Sequence, residues 1–319
     1  MMSTHRIVLT GASGMLGRAI LKQLTHRSDA TVVALYRNVS PPKLAPNMEG
    51  RIVDFDSSDG IEALLREIQP TIFIHTAATG MQFPRPAPSE LTRVNIELPV
   101  QLAEAAARIP NCRLVHVSSG LAYTDKGRPL REDDALGTLH PYGASKMEAE
   151  KRLQTFARGR DFSLTVLRPF SFTGEGDTGS RLFPSLLSSA AAGRPFEMSG
   201  GDQVRDHSSV NDIARGVVAA AFFSLRDASA PRIFNLGSGD TRPLRELVSA
   251  VVKELGLKLD IRFGARPYSE SEPMFMVADT TRAHNELHWR TKESVAQAVW
   301  QLARSSLPSL QLKEPPRHA

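Results

Sequence analysis

Residues 6–20, RIVLTGASGMLGRAI, decide the fold. A short apolar run, IVLT, reaches a glycine and gives way at once to a stretch with helical apolar spacing. Gly11, Gly14 and Gly17 fall at that junction, in a Gly-x-x-Gly-x-x-Gly arrangement. A strand that passes through glycines into a helix is the setting a dinucleotide-binding turn requires. The absent side chains let a pyrophosphate approach the backbone, and the helix N-terminus offers free N–H groups and a favourable dipole. Ser13, Met15 and Leu16, between the glycines, are expected along the cofactor with them.

The same alternation continues outward. Strands are expected at Arg6–Thr10, Thr31–Tyr36, Gly50–Val53, Thr71–His75, Arg113–Ser118 and Ser163–Leu167. Helices are expected at Met15–His26, Gly60–Ile68, Ser89–Arg108 and Tyr142–Ala157. Near-continuous apolar runs such as IFI and LVHV suit strands buried on both faces. The pattern predicts an α/β fold with a doubly wound parallel sheet, a Rossmann fold, whose ligands lie beyond the carboxyl ends of the strands. After Leu167 the pattern loosens, and RPFSFTGEGDTGSR reads as a loop. Helices at Arg181–Ala192, Asn211–Leu225 and Arg242–Leu255 and strands at Ile233–Leu236 and Leu259–Phe263 suggest a smaller α/β substrate-binding lid. Residues 1–170 and about 211–237 are assigned to the dinucleotide domain, and 171–210 with 238–319 to the substrate domain. The final LKEPPRHA reads as a frayed tail.

Bulk properties narrow the function. The chain has 319 residues, 41% hydrophobic and 23% charged, in the ordinary range for a soluble globular protein. Its net charge of +5 is not gathered into a basic run, which argues against nucleic acid as a partner. A single cysteine, Cys112, excludes an internal disulfide framework and fits a reducing compartment. The start, MMSTHR, carries no apolar signal segment, and no stretch is apolar enough to span a bilayer. A cytoplasmic protein is expected, with no membrane partner. His284 and His288 share a helix-face spacing but lack a third ligand nearby, so no metal site is expected.

The second strand bears on the cofactor. An acid about 20 residues beyond the glycines would accept a hydrogen bond from the ribose 2′-OH of NAD. VVALYRN offers Tyr36 and then Arg37, which can pair with a 2′-phosphate, so NADP is favoured, with NAD as the alternative. Arg18 could add a second positive charge. Asp54 and Phe55 could frame the adenine, and HTAA, His75–Ala78, brings Ala77 and Ala78 against the cofactor. Downstream, Tyr142 and Lys146 lie one helical turn apart in HPYGASKMEAEKRL. A phenol titrates near 10, too high for a base at neutral pH, and a neighbouring ammonium would lower it.

Taken in order, the glycine turn, Asp54–Phe55, HTAA, Asn95, the serines of HVSSGLAY and Tyr142-x-x-x-Lys146 resemble the extended short-chain dehydrogenases/reductases. RPFSFTG, RDHSSVNDIARGV, FNLGSG and DTTRAHNELHW extend that likeness over nearly the whole chain, and narrow it to the NAD-dependent epimerase/dehydratase family, which acts mainly on nucleotide sugars. The resemblance implies that Tyr142 is the acid/base, and that Lys146 lowers its pKa and holds the nicotinamide ribose. Ser119, four residues before Tyr123, would bond the reacting oxygen, with Ser118 its nearest rival. Asn95 would support the active-site backbone or a bound water, and is placed among the cofactor residues. Arg205 corresponds to an arginine that clamps a nucleotide-sugar diphosphate; an ion pair with Asp206 or Asp212 is its alternative role. Ser171 replaces an asparagine that contacts the sugar nucleotide.

Departures from the pattern limit the chemistry. Gly120 and Leu121 stand where dehydratases of this kind carry carboxylates, so elimination is not expected, and Cys112 lies too early for the paired Cys/His chemistry of some epimerases. Hydride transfer at one carbon remains. The leading expectation is an NADPH-dependent 4-ketoreductase of a nucleotide-activated deoxysugar. The alternatives are a 4-epimerase with bound NAD, a reductase of a non-sugar ketone, and a non-enzymatic NADP-binding redox sensor. A homodimer is expected, from alanine and leucine enough on Ser89–Arg108 and Tyr142–Ala157 to bury a second face.

Overall fold

The structure is a computed structural model that describes residues 5–81, 86–223, 231–269 and 272–316. The first part alternates β1 (His5–Thr10), α1 (Met15–Leu24), β2 (Ala30–Tyr36), β3 (Met48–Ile52), α2 (Ser58–Ile68) and β4 (Ile72–His75). It continues through α3 (Pro88–Thr92), α4 (Leu98–Ala107), β5 (Arg113–Val117), α5 (Pro141–Ala157) and β6 (Ser163–Pro169). The second part carries β7 (Ser171–Thr173), α6 (Leu182–Ala191), β8 (Phe196–Met198), β9 (Val204–Arg205), β10 (His207–Ser209), α7 (Val210–Phe222) and β11 (Arg232–Leu236). The last elements are α8 (Leu244–Glu254), β12 (Ile261–Phe263), β13 (Phe275–Met276), α9 (Thr281–Leu287) and α10 (Val295–Ser306).

Seven strands form one sheet, in the order β11-β6-β5-β4-β1-β2-β3, and every pairing within it is parallel. Successive side chains of a strand point to opposite faces, so the apolar runs feed two cores at once. Ile7, Leu9, Ile74 and Val115 pack under α1 and α7 on one face. Val8, Phe73, Leu114 and Leu164 pack under α2, α4 and α5 on the other. The chain reverses its direction of travel between β1 and β4, which opens a crevice at their carboxyl ends. A third core, built from Phe183, Leu186, Val248, Val251 and Leu302, joins α6, α8 and α10 into the smaller lid.

Four expectations need correction. The single helix foreseen over 89–108 is divided: α3 passes into a π-turn at Arg93–Glu97 before α4 begins. Pro99, in the first turn of α4, has no N–H for the helical ladder, and the wider turn places Asn95 inward, fully buried. RPFSFTG is not all loop, because Ser171–Thr173 pairs in parallel with His207–Ser209. The tail is not frayed through 316: the Lys313 N–H donates to Leu255 O at 2.9 Å, and Gln297 donates to Pro316 O at 2.8 Å. Leu98, Leu102, Ala103, Ala105 and Ala106 of α4 face the core, while its outward side and that of α5 mix polar Gln101, Glu104, Lys151 and Arg152 with apolar Val100, Ala107, Ala144 and Met147, which stay half-buried or exposed. The helix foreseen at Asn211–Leu225 ends at Phe222, and Ser224 and Leu225 lie outside the described residues.

Candidate active site

The glycine turn is built by exclusion of side chains. Gly11 has φ +73°, and a Cβ there would stand 2.5 Å from Thr76 Oγ1 and 2.6 Å from the Ala77 nitrogen. At Gly17 a Cβ would come within 2.8 Å of Ala12 Cα, so this glycine lets α1 sit against the turn. Gly14 precedes α1 with no side-chain cap, which leaves the helix N-terminus facing the cleft. The turn borders a cavity of about 530 Å³ lined by Gly11, Ser13, Gly14, Ala77 and Ala78, with Leu35, Arg37 and Phe55 beyond. Arg37 makes no ion pair among the described residues. A glycine cradle and a helix N-terminus together fit the pyrophosphate of a dinucleotide.

Other sequence-predicted cofactor residues have side chains outside this cavity. Met15 packs against the first core, and Leu16 lines a second, neighbouring cavity. Asp54 accepts the Asp56 N–H at 3.0 Å, and it is Asp56, paired with Arg93, that reaches the wall. Asn95 is held at both ends of its amide: Oδ1 accepts the Thr79 N–H at 2.9 Å, while Nδ2 donates to Thr79 O at 2.8 Å and Ser145 Oγ at 2.9 Å. It ties the loop after β4 to α5 and does not line the cavity. Arg18 is also committed, donating to Ser13 O and, at 3.3 Å, to Gly176 O. It clips the glycine turn to the loop after β7.

Tyr142 stands in the first turn of α5, where Pro141 starts the helix. It shares a cavity of about 160 Å³ with Ser119, Leu121, Ser171 and Arg205. Ser119 Oγ accepts the Leu121 N–H at 3.1 Å, so the serine shapes its own turn while its hydroxyl hydrogen stays available to the cleft. Ser118 borders the same cavity, but its hydroxyl is engaged, donating to Glu150 Oε2 at 3.0 Å.

Lys146 faces the sheet and is 1% exposed. Burial lowers its pKa to about 7, against the upward pull of Glu150 one turn on. Glu150 is held by Arg168 in a fully buried pair, and Arg168 also donates to Tyr123 and to Glu132 O. Beneath the lysine, register aligns Thr10, His75 and His116 across β1, β4 and β5. Thr10 Oγ1 and His75 Nδ1 are 2.7 Å apart, and the two imidazoles stack at 5.3 Å. Burial, reinforced by Lys146, drops His75 to about 3 and His116 well below its usual range. Burial pushes Tyr142 up to about 12, and the cation that opposes this is Arg181.

On the substrate side, Arg205 pairs neither with Asp206 nor with Asp212. Its Nη2 lies 2.6 Å from Glu272 Oε1, which Gln203 also approaches at 3.4 Å. Asp206 instead accepts from Ser238, Gly239 and Ala278, and Asp212 pairs with Arg215. Sequence reasoning missed Arg181 and the apolar walls formed by Met81, Phe170, Phe172 and Met276. These residues come from separate segments with no shared spacing, so no local pattern announces them. Among the described residues, no three His, Cys, Asp or Glu converge as a metal site, and no helix is long and apolar enough to cross a membrane.

Comparison with known proteins agrees with this geometry. The chain is 29% identical over 318 residues to a dTDP-6-deoxy-L-talose 4-dehydrogenase (NAD(P)(+)) of Kitasatospora kifunensis, covering 95% of this chain and 96% of that protein. It is 25% identical to a UDP-glucose 4-epimerase of Lactobacillus helveticus, covering 94% and 97%. The structure of MoeE5 in complex with UDP-glucuronic acid and NAD matches with a TM-score of 0.80 and 27% identity, over 96% of this chain and 100% of that one. Residues 7–237 match the NAD dependent epimerase/dehydratase family. With its parallel sheet, its glycine cradle and the cleft shared by Ser119 and Tyr142, the chain belongs to that family of nucleotide-sugar-modifying, NAD-dependent enzymes.

Proposed function

We propose that the protein is an NADPH-dependent 4-ketoreductase of a nucleotide-activated deoxysugar. The observation that carries this reading is Arg37, at the end of β2 on the cofactor wall, where an acid would select NAD. The apolar walls around Tyr142 suit a sugar that has lost a hydroxyl, and the Kitasatospora relative acts on a 6-deoxysugar. Bound NADPH would supply the hydride. Tyr142 gives its proton to the ketone oxygen, which Ser119 holds by a hydrogen bond. Lys146, near neutrality and buried, keeps a proton within reach of the helix face that carries Tyr142. Arg205 exchanges the Glu272 carboxylate for the substrate diphosphate, a pairing that guanidinium geometry favours. Gly120 and Leu121 bring no carboxylate for elimination.

A 4-epimerase is the second reading, favoured by the UDP-glucose 4-epimerase relative. One preparation separates the two. Protein that leaves gel filtration free of nicotinamide, and then oxidises NADPH when given a dTDP-4-keto-6-deoxyhexose, supports the reductase. Protein that retains NAD and interconverts UDP-glucose and UDP-galactose without added cofactor would overturn it.

A further inference from the structure

We infer that Gly120 and Phe170 together set the substrate specificity: they build an apolar wall that admits a methyl group at C6 of the sugar and rejects a hydroxymethyl or a carboxylate there. The inference rests on the reading of the cleft as a site for a 4-keto nucleotide sugar. Gly120 follows Ser119 directly, and both line the cavity with Tyr142 and Phe170. A Cβ at Gly120 would stand 2.9 Å from Cγ and from Cδ2 of Phe170. Only a residue without a side chain therefore lets that ring lie against the turn carrying Ser119. The ring is backed as well as seated. It stacks on Tyr123, with ring centres 6.1 Å apart, and the Tyr123 hydroxyl donates to Asn235 Oδ1 at 2.7 Å. Leu130, Met276 and Ala278 complete the buried cluster behind it. Gly120 thus does more than withhold a carboxylate: it puts a fixed aromatic face where a side chain would otherwise stand.

With the C4 oxygen held by Ser119 and Tyr142, the nearest substituents of the sugar are the C3 hydroxyl and the arm on C5. An apolar wall strands any hydroxyl or charge turned towards it. Of the two substituents, only the C5 arm can lack polar atoms while the C3 hydroxyl is kept, as the methyl group of a 6-deoxyhexose. Most polar groups of the cavity are engaged and offer a polar arm little compensation. Thr76 donates its hydroxyl to Thr10 O at 2.8 Å, and Ser118 donates to Glu150. The Arg181 guanidinium is held by Phe172 O at 2.6 Å and by Asp177 Oδ1 at 3.0 Å. Arg205 is reserved for the diphosphate in the same reading. The hydroxyls of Ser119 and Ser171 remain for the oxygens of the ring.

Matched nucleotide sugars that differ only at C6 test this, because the nucleotide cancels from the comparison. Titration calorimetry in the presence of NADP would compare UDP-6-deoxyglucose with UDP-glucose and UDP-glucuronate, and dTDP-6-deoxyglucose with dTDP-glucose. The 6-deoxy sugar of each pair should bind about 10- to 100-fold more tightly than its hydroxymethyl partner, the range an apolar pocket achieves against one added hydroxyl. UDP-glucuronate should bind more weakly than either UDP sugar. Gly120→Ala, which displaces the Phe170 ring, should shrink the preference by about tenfold. Phe170→Leu keeps the cluster apolar but removes the ring, and should shrink it in the same direction. NADPH affinity reports folding in each variant, and Phe170→Leu carries the test alone if Gly120→Ala loses it. Equal affinities within each pair overturn the inference, as does UDP-glucuronate binding most tightly. A preference that Phe170→Leu leaves intact overturns it too, because other residues would then set it. Failure of every sugar to bind sinks the nucleotide-sugar reading, and this inference with it.

Discussion

The two halves of the cleft are made differently. The cofactor side is mostly backbone: three glycines, a helix N-terminus and the ends of two neighbouring strands, all drawn from short contiguous segments. The substrate side is mostly side chain: Met81, Phe170, Arg181, Arg205 and Met276 meet only after the lid has folded over the sheet. A backbone cradle constrains the sequence tightly, because only glycine fits Gly11 and Gly17. A side-chain pocket can be filled in many ways. The first half therefore holds its ligand class fixed while the second is free to set the substrate.

Tyr142 stands at the seam and offers the largest test of this division. Tyr142→Phe should reduce turnover by about 10²- to 10⁴-fold, with NADPH affinity and nucleotide-sugar affinity both retained in fluorescence titrations. A variant that loses either affinity would show that the phenol is part of a binding wall. The next effect separates the halves. Arg37→Asp should lower the preference for NADPH over NADH by about 10- to 100-fold without changing affinity for the sugar nucleotide, since a charge-assisted bond is worth about 1.5–3 kcal/mol. Arg205→Ala should do the reverse, weakening the nucleotide diphosphate about tenfold and sparing NADPH. If both variants weaken both ligands, the comparison fails.

The smallest effect is on stability, and it belongs to the sheet half. His75 and His116 are buried uncharged, with pKa values below those of an unfolded chain. Their contribution is present above about pH 6.5, the unfolded value. It is lost as pH falls towards the folded values, because the unfolded state then binds protons that the fold excludes. The loss is about 1.4 kcal/mol per pH unit for each histidine. Melting curves between neutral pH and about pH 5 should fall more steeply for the unaltered protein than for His116→Gln. Equal slopes would mean that acid acts on other groups.

What the sequence revealed follows the same division. The turn at Gly11–Gly17, the parallel strands and the Tyr142–Lys146 spacing are local patterns, and each appears where contiguous residues place it. The sequence says less where a side chain depends on a distant partner. Asn95 supports the backbone after β4, as one of its expected roles had it, through bonds to Thr79 and Ser145 that no local pattern announces. Arg18 looks available until Gly176 accepts from it, 158 positions away. Arg205 meets Glu272, 67 residues on, and not its acidic near neighbours. Lys146 is buried against the sheet, where Thr10, His75 and His116 come from three separate strands.

The end of the chain has a practical consequence. Residues 307–316 form no regular element, yet Leu307, Leu310 and Leu312 cover the seam between α8 and α10, and Pro315 is buried. This segment works as the outer wall of the lid, in the way a strap closes a shell. A shortened protein that stops after α10 would expose the apolar seam to water, so the lid includes residues beyond Ser306.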